Sequence, residues 1–172
     1  MGPKDRRPAE WPVFKVEALL QRLSEADVDY VVIGGIAMIA HGSVRITRDL
    51  DIVFAPEQSN LDRLGRILVE LDARLRGVDE NVPFVPDGGT LAKVDLLTLV
   101  TSLGWLDVHR RPPGAPPYRS LRRRAERIAF GDFSILVASP EDLQAMKRTA
   151  GRDVDIADLD YLETIIRLRG ES

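Results

Sequence analysis

The chain has 172 residues, 44% of them hydrophobic and 30% charged, with a net charge of −3, a composition that suits one compact domain with its own core. It contains no cysteine and only two histidines, His41 and His109, which excludes disulfides and a cysteine nucleophile and leaves carboxylates to hold any metal, favouring magnesium or manganese. No apolar run approaches the ~18 residues that cross a bilayer, and the amino terminus MGPKDRRPAEWP lacks the apolar segment of a signal peptide, so a cytoplasmic protein with no membrane partner is expected.

Residues 1–12 read as a short frayed tail and 13–172 as a single domain. VFKVEALLQRLSEAD (13–27) carries Val16, Leu19, Leu20 and Leu23 at helical spacing. DYVVIGG (29–35) is a β-branched apolar run, read as a buried strand ending at Gly34-Gly35. IAMIAHG (36–42) fits two helical turns closed by Gly42. DLDIVFA (49–55) reads as a second strand and EQSNLDRLGRILVELDARL (57–75) as an amphipathic helix. AKVDLLTLV (92–100) reads as a third strand, and RIAFGDFSILVA (127–138) as two short strands around Gly131-Asp132.

SPED (139–142) is a helix start, with Ser139 as N-cap, Pro140 in the first turn and Asp142 reaching back as capping partner. That helix ends at Gly151, and a last helix over roughly 154–168 completes a C-terminal helical pair in 139–172. PPGAPP (112–117) is a stiff surface loop. The expected architecture is an α/β (α+β) mixed sheet with helices packed on it, not the regular alternation of a Rossmann fold.

Asp49 and Asp51 flank one leucine in a strand, so both point to one face while Leu50 points to the other. Two such carboxylates repel each other and lose hydration. The bland alternative is that Asp49 caps the strand and Asp51 pairs with an arginine. Asp95 is again the sole acid in an apolar run, KVDLLTL, where a lone buried carboxylate is costly without a cation. Three carboxylates from two adjacent strands would make an oxygen cage for a divalent ion; the alternative for Asp95 is a salt bridge to Lys93 or an arginine. Gly34-Gly35, with a strand before it and a helix after it, allows close approach of backbone to phosphate oxygens. Gly42-Ser43 reads better as a helix stop.

Together, Gly34, Gly35, Asp49, Asp51 and Asp95 resemble the DNA polymerase β-type nucleotidyltransferase superfamily. Its pattern is an apolar strand, Gly-Gly or Gly-Ser, Asp-x-Asp on the next strand and a third Asp on a later one. The variant GG…HG…R-x-T-x-D-L-D, carried by Gly34, Gly35, His41, Gly42, Arg45, Thr47, Asp49 and Asp51, looks more like the AbiEii/MenT toxin-type branch. The stretch 143–163 is similar to a tail of those proteins at Lys147, Ala150, Gly151, Arg152, Asp155, Asp158 and Leu159, but Asp153-Val154 stands where relatives often have Pro-Lys.

The resemblance implies a nucleotidyltransferase-like fold and transfer of a nucleoside monophosphate from an NTP to an acceptor hydroxyl. Asp49, Asp51 and Asp95 would hold Mg2+ or Mn2+, with Asp95 helping to activate the acceptor. Gly34, Gly35, Lys147 and Arg45 would bind nucleotide; the alternative for Lys147 is a solvated helix residue. Read from the residues themselves, Arg45 and Arg48 either contact nucleotide or neutralise the acidic cluster, the second being favoured for Arg48. Arg152, Asp155 and Asp158 would brace the site as an ion-pair network. The segment 110–127 carries seven arginines and one glutamate, and Arg119, Arg122, Arg123 and Arg124 are candidate RNA contacts; a solvated basic loop is the alternative. His41 is expected to be a local hydrogen-bonding group, and Trp11 and Trp105 to be packing residues. The leading expectation is the toxin of a bacterial toxin–antitoxin pair acting on the tRNA 3′ end and restrained by an antitoxin protein. The rivals are nucleotidylation of a small hydroxyl compound, such as an aminoglycoside, and an inactive binding protein with the same fold.

Overall fold

The structure, a computed structural model, describes residues 13–79 and 81–172; the expectations for the tail 1–12 and Trp11 lie outside the described residues. The elements in chain order are α1 (Val16–Glu25), β1 (Tyr30–Ile33), α2 (Gly34–Ala40), β2 (Asp49–Phe54), α3 (Gln58–Glu70), β3 (Arg74–Leu75) and α4 (Gly88–Leu91). They continue with β4 (Leu96–Thr101), β5 (Gly104–His109), α5 (Tyr118–Arg124), β6 (Glu126–Phe130), β7 (Phe133–Val137), α6 (Pro140–Ala150) and α7 (Asp153–Gly170).

The strands form one mixed sheet in the order β3-β4-β5-β2-β1-β7-β6. β1 runs antiparallel to β2 and parallel to β7, and β2 runs parallel to β5. The β2–β5 register sorts side chains by chemistry. It sets Leu50 beside Leu106 and Ile52 beside Val108, all buried, while Asp49 lies beside Trp105 and Asp51 beside Asp107. Because successive strand residues face opposite ways, the leucines and the aspartates belong to opposite faces. Leu19, Leu20 and Leu23 of α1 and Leu61, Leu64 and Leu68 of α3 join the apolar face in one core. Each fully buried leucine contributes about 1.5–3 kcal/mol, so this packing fixes the register, and a slip of one residue would bury the acids.

Several elements differ from the sequence reading. The helix predicted over 57–75 stops at Glu70, and Arg74–Leu75 pairs with β4. The strand predicted from residue 92 begins at Leu96, after the short α4. Four elements, β3, α4, β5 and α5, were not anticipated; tight turn residues hid β5, the hairpin partner of β4, and prolines hid α5, a two-turn helix. Ser139 does cap α6, accepting from the Asp142 backbone N–H at 3.2 Å. The Asp142 carboxylate, however, is taken by Arg124, whose Nε lies 3.0 Å away, so it does not reach back to complete a capping box. Gly151 ends α6 at φ +62, a left-handed turn that glycine adopts without strain.

Candidate active site

β2 and β5 present their acids side by side. Asp49, Asp51 and Asp107 each offer an oxygen, and those atoms lie within 4.8 Å of one another. Such closely set carboxylates suit a hard divalent cation, which takes oxygen ligands and cancels their repulsion. Asp107 is 8% exposed. Burial, and then the neighbouring Asp51, push its carboxyl up to about 6, although Arg76 opposes the shift. Arg76 Nη2 donates to Asp107 Oδ1 at 2.8 Å, and the guanidinium lies over the Trp105 ring, 4.8 Å from its centre.

Asp95 does not join this group. It sits one residue before β4, its side chain 77% exposed, and accepts from Arg110 Nη2 at 2.6 Å and Nε at 3.1 Å. The arginine salt bridge weighed as its alternative is therefore its actual setting, and the third carboxylate is Asp107. A signal for Asp107 was present: in WLDVH (105–109) Leu106 and Val108 alternate with Trp105, Asp107 and His109, the period of a strand with one polar face.

Gly34 follows β1 directly and has φ +68. A Cβ there would stand 2.6 Å from Asp51 Oδ2, and one on Gly35 would stand 2.7 Å from Thr47 Oγ1. The glycine pair thus gives the acids and their neighbours room. Thr47 Oγ1 donates to Asp49 Oδ1 at 3.1 Å. On the other side, His109 Nε2 lies 3.0 Å from Asp51 Oδ1. His41 does not line the cleft that holds these acids; its Nε2 bonds the Ala138 carbonyl at 2.9 Å.

The same cleft, about 420 Å³ in volume, is lined on its other side by Arg45, Lys147 and Arg152 with apolar Leu143, Met146 and Val154. Lys147 is not a free phosphate hook. It is 6% exposed, and its ammonium lies 2.7 Å from Asp158 and 3.3 Å from Asp155. Asp158 also pairs with Arg45, and Asp155 accepts from Arg152 Nε at 3.0 Å and from the Arg152 backbone N–H at 3.1 Å. Burial works against the charge on Asp155, yet these Arg152 bonds and Lys147 outweigh it and hold the carboxyl below its usual range. Three cations share two anions, so the chain of ion pairs carries one surplus positive charge. Bonding to Asp155 first, with Asp51 and Asp49 adding to it, raises the affinity of Arg152 for its proton.

The basic helix α5 lies elsewhere. Arg122 Nε donates to Asp29 at 3.0 Å, just before β1, whereas Gly34 follows β1; Arg122 is therefore at the opposite end of that strand from the acids. Arg124 is tied to Asp142, and Arg119 and Arg123 are exposed.

A family model described as nucleotidyl transferase AbiEii toxin, type IV toxin–antitoxin system, matches residues 18–165. The chain belongs to the AbiEii family. It is a nucleotidyltransferase, and the matched span runs from α1 into α7 across every residue of the cleft. Among solved structures, a lincomycin-bound lincosamide antibiotic adenylyltransferase, LnuA, superposes with a TM-score of 0.60 at 17% identity, covering 90% of this chain and 99% of that one. A putative nucleotidyltransferase from Thermotoga maritima gives 0.47 at 14% identity, covering 96% and 100%. The antibiotic-resistance factor ANT(2'')-Ia gives 0.47 at 15% identity, covering 91% of each chain. No curated protein matches the sequence. The LnuA likeness supports the AbiEii chain's nucleotidyltransferase fold.

Proposed function

We propose that the AbiEii chain catalyses metal-dependent transfer of a nucleoside monophosphate from an NTP to an acceptor hydroxyl, with the tRNA 3′ end as acceptor, as the toxin of a toxin–antitoxin pair. The observation that carries the reaction is the cleft itself, in which Asp49, Asp51 and Asp107 stand opposite Arg45, Arg152 and the buried Lys147. Asp49, Asp51 and Asp107 would hold Mg2+ or Mn2+, and the ion would supply charge neutralisation at the attacking and leaving oxygens. Asp95, outside the cluster, would hold no ion.

The acceptor oxygen bonds to the α-phosphorus, the bond from that phosphorus to the oxygen bridging to the β-phosphorus breaks, and pyrophosphate leaves. The hydroxyl proton passes to a carboxylate, and Asp107, which shares the acid cluster with Asp49 and Asp51, is the group assigned to take it. Arg45 and Arg152 bind the triphosphate, and Gly34 and Gly35 admit its oxygens close to backbone. Lys147 holds Asp155 and Asp158 in place, so its part is to brace both arginines. Arg119, Arg122, Arg123 and Arg124 would touch RNA only beyond the reacting end, since α5 lies away from the acids.

The toxin role and a restraining antitoxin are supported by the family to which the chain belongs. A small hydroxyl acceptor is the second reading. It is favoured by the apolar wall of Leu143, Met146 and Val154 and by the match in extent to an adenylyltransferase whose ligand is lincomycin. Transfer of label from each α-labelled NTP, offered with total tRNA or with a lincosamide and aminoglycoside mixture, separates the two. Label in tRNA supports the toxin reading; label only in the small molecules replaces it.

A further inference from the structure

We propose that His109 is the positioning residue of Asp51: its imidazole N–H fixes one carboxylate oxygen so that the other is presented to metal and phosphate. The assignment rests on the nucleotidyl-transfer reading above and extends it by a residue outside the acid cluster. Three observations and one point of chemistry carry it. His109 Nε2 lies 3.0 Å from Asp51 Oδ1. An ionised carboxylate is an acceptor only, so this contact makes Nε2 the donor and excludes it as a metal ligand while the bond persists. The side chains of His109 and Asp51 are 14% and 19% exposed, which shields the bond from competing water. Finally, Asp51 Oδ2 is confined from the far side, where a Cβ on Gly34 would come within 2.6 Å.

The strand register makes this arrangement rigid. His109 lies two residues beyond Asp107 on β5 and beside Val53 on β2, so it shares the face of Asp107 and reaches back along β2 to Asp51. The carboxylate of Asp51 is held at one oxygen by a donor and limited at the other by the β1–α2 turn. A group held in this way loses little freedom when it binds an ion, which is why outer partners of metal ligands commonly contribute 10–100-fold to metal affinity.

The test is Mn2+ binding to the full chain, followed by electron paramagnetic resonance, for wild type, His109→Ala and His109→Gln, with metal-free melting as the control for folding. Gln keeps an N–H near the position of Nε2, and Ala removes it. The expected result is a 10–100-fold weaker Mn2+ affinity for His109→Ala at an unchanged metal-free melting temperature, with His109→Gln close to wild type. The kinetic counterpart is a fall in kcat with little change in KM for the acceptor. Equal Mn2+ affinity in wild type and His109→Ala overturns the assignment, and so does a Gln variant as weak as Ala. Nitrogen coupling to bound Mn2+ that disappears in His109→Ala also overturns it, because His109 would then be a ligand. Absence of Mn2+ binding by the wild-type chain would remove the metal reading as well, so the two failures are distinguishable.

Discussion

Asp107 stands directly beside Asp51 across the parallel β2–β5 ladder, with Arg76 braced against its Oδ1. This pairing makes Asp107, not Asp95, the third carboxylate of the site. Asp107→Asn is therefore expected to lower nucleotidyl transfer by roughly 10²–10³-fold, the scale of losing a preorganised charged group. Asp95→Asn should leave transfer nearly unchanged and cost at most about 1 kcal/mol, since it breaks only a surface ion pair. Steady-state transfer rates and urea unfolding of the two variants check both.

The raised carboxyl of Asp107 gives the metal-free protein a defined pH dependence. Its folded value of about 6 lies above the ordinary 3.8, so between those values the folded chain holds a proton that the unfolded chain releases. Stability from this group is undiminished below about pH 4, falls as pH rises towards 6 and stays lowered above it. Asp107→Asn should flatten that slope and raise metal-free stability at pH 7 by on the order of 1–3 kcal/mol. Asp155 runs the opposite way: its depressed carboxyl contributes stability at neutral pH that is lost on acidification. Thermal melts without metal from pH 4 to 7.5, wild type against Asp107→Asn, isolate the first effect.

Lys147 and Arg152 should separate cleanly. Lys147→Met leaves two buried carboxylates short of a partner, a loss on the order of 3 kcal/mol, so its activity defect comes with a lower melting temperature. Arg152 is largely exposed and sits nearer solvent. Arg152→Ala should lose less stability and raise the KM for NTP about tenfold or more, as expected when a charge-assisted hydrogen bond is lost. Parallel melting and NTP titrations distinguish a brace from a binding group.

Gly34→Ala combines a left-handed backbone, φ +68, with a contact on Asp51. Gly77 has φ +76 but open space where a Cβ would go. Both alanine variants should lose about 1–2 kcal/mol to backbone strain, yet only Gly34→Ala should also lose transfer activity. Comparing melting temperature with turnover for this pair separates strain from obstruction of the site.

Part of this site was legible in the sequence because its chemistry is local. Asp49, Asp51 and Gly34-Gly35 occupy short segments whose strand and turn character follows from β-branched runs and glycines, and the structure brings them together. Asp107 was missed because a hairpin had to be inferred first: Ser102 and Leu103 turn the chain back, and only then does the Trp105–Asp107–His109 face meet β2. Asp95 looked buried because its neighbours are apolar, but it precedes β4 and lies outside the sheet. The burial of Lys147 depends on α7 folding back onto α6, a contact between two helices that the spacing within either one does not encode. The resemblance led to an expected ion-pair network of Asp155 and Asp158 near Lys147 and Arg152, but not to the burial of the lysine within it.

The most direct test is metal-dependent transfer of α-labelled nucleotide by wild type, Asp95→Asn and Asp107→Asn, side by side, with tRNA and with the small-molecule acceptors. The account predicts transfer by wild type and Asp95→Asn and almost none by Asp107→Asn. Transfer retained by Asp107→Asn and abolished by Asp95→Asn would contradict it.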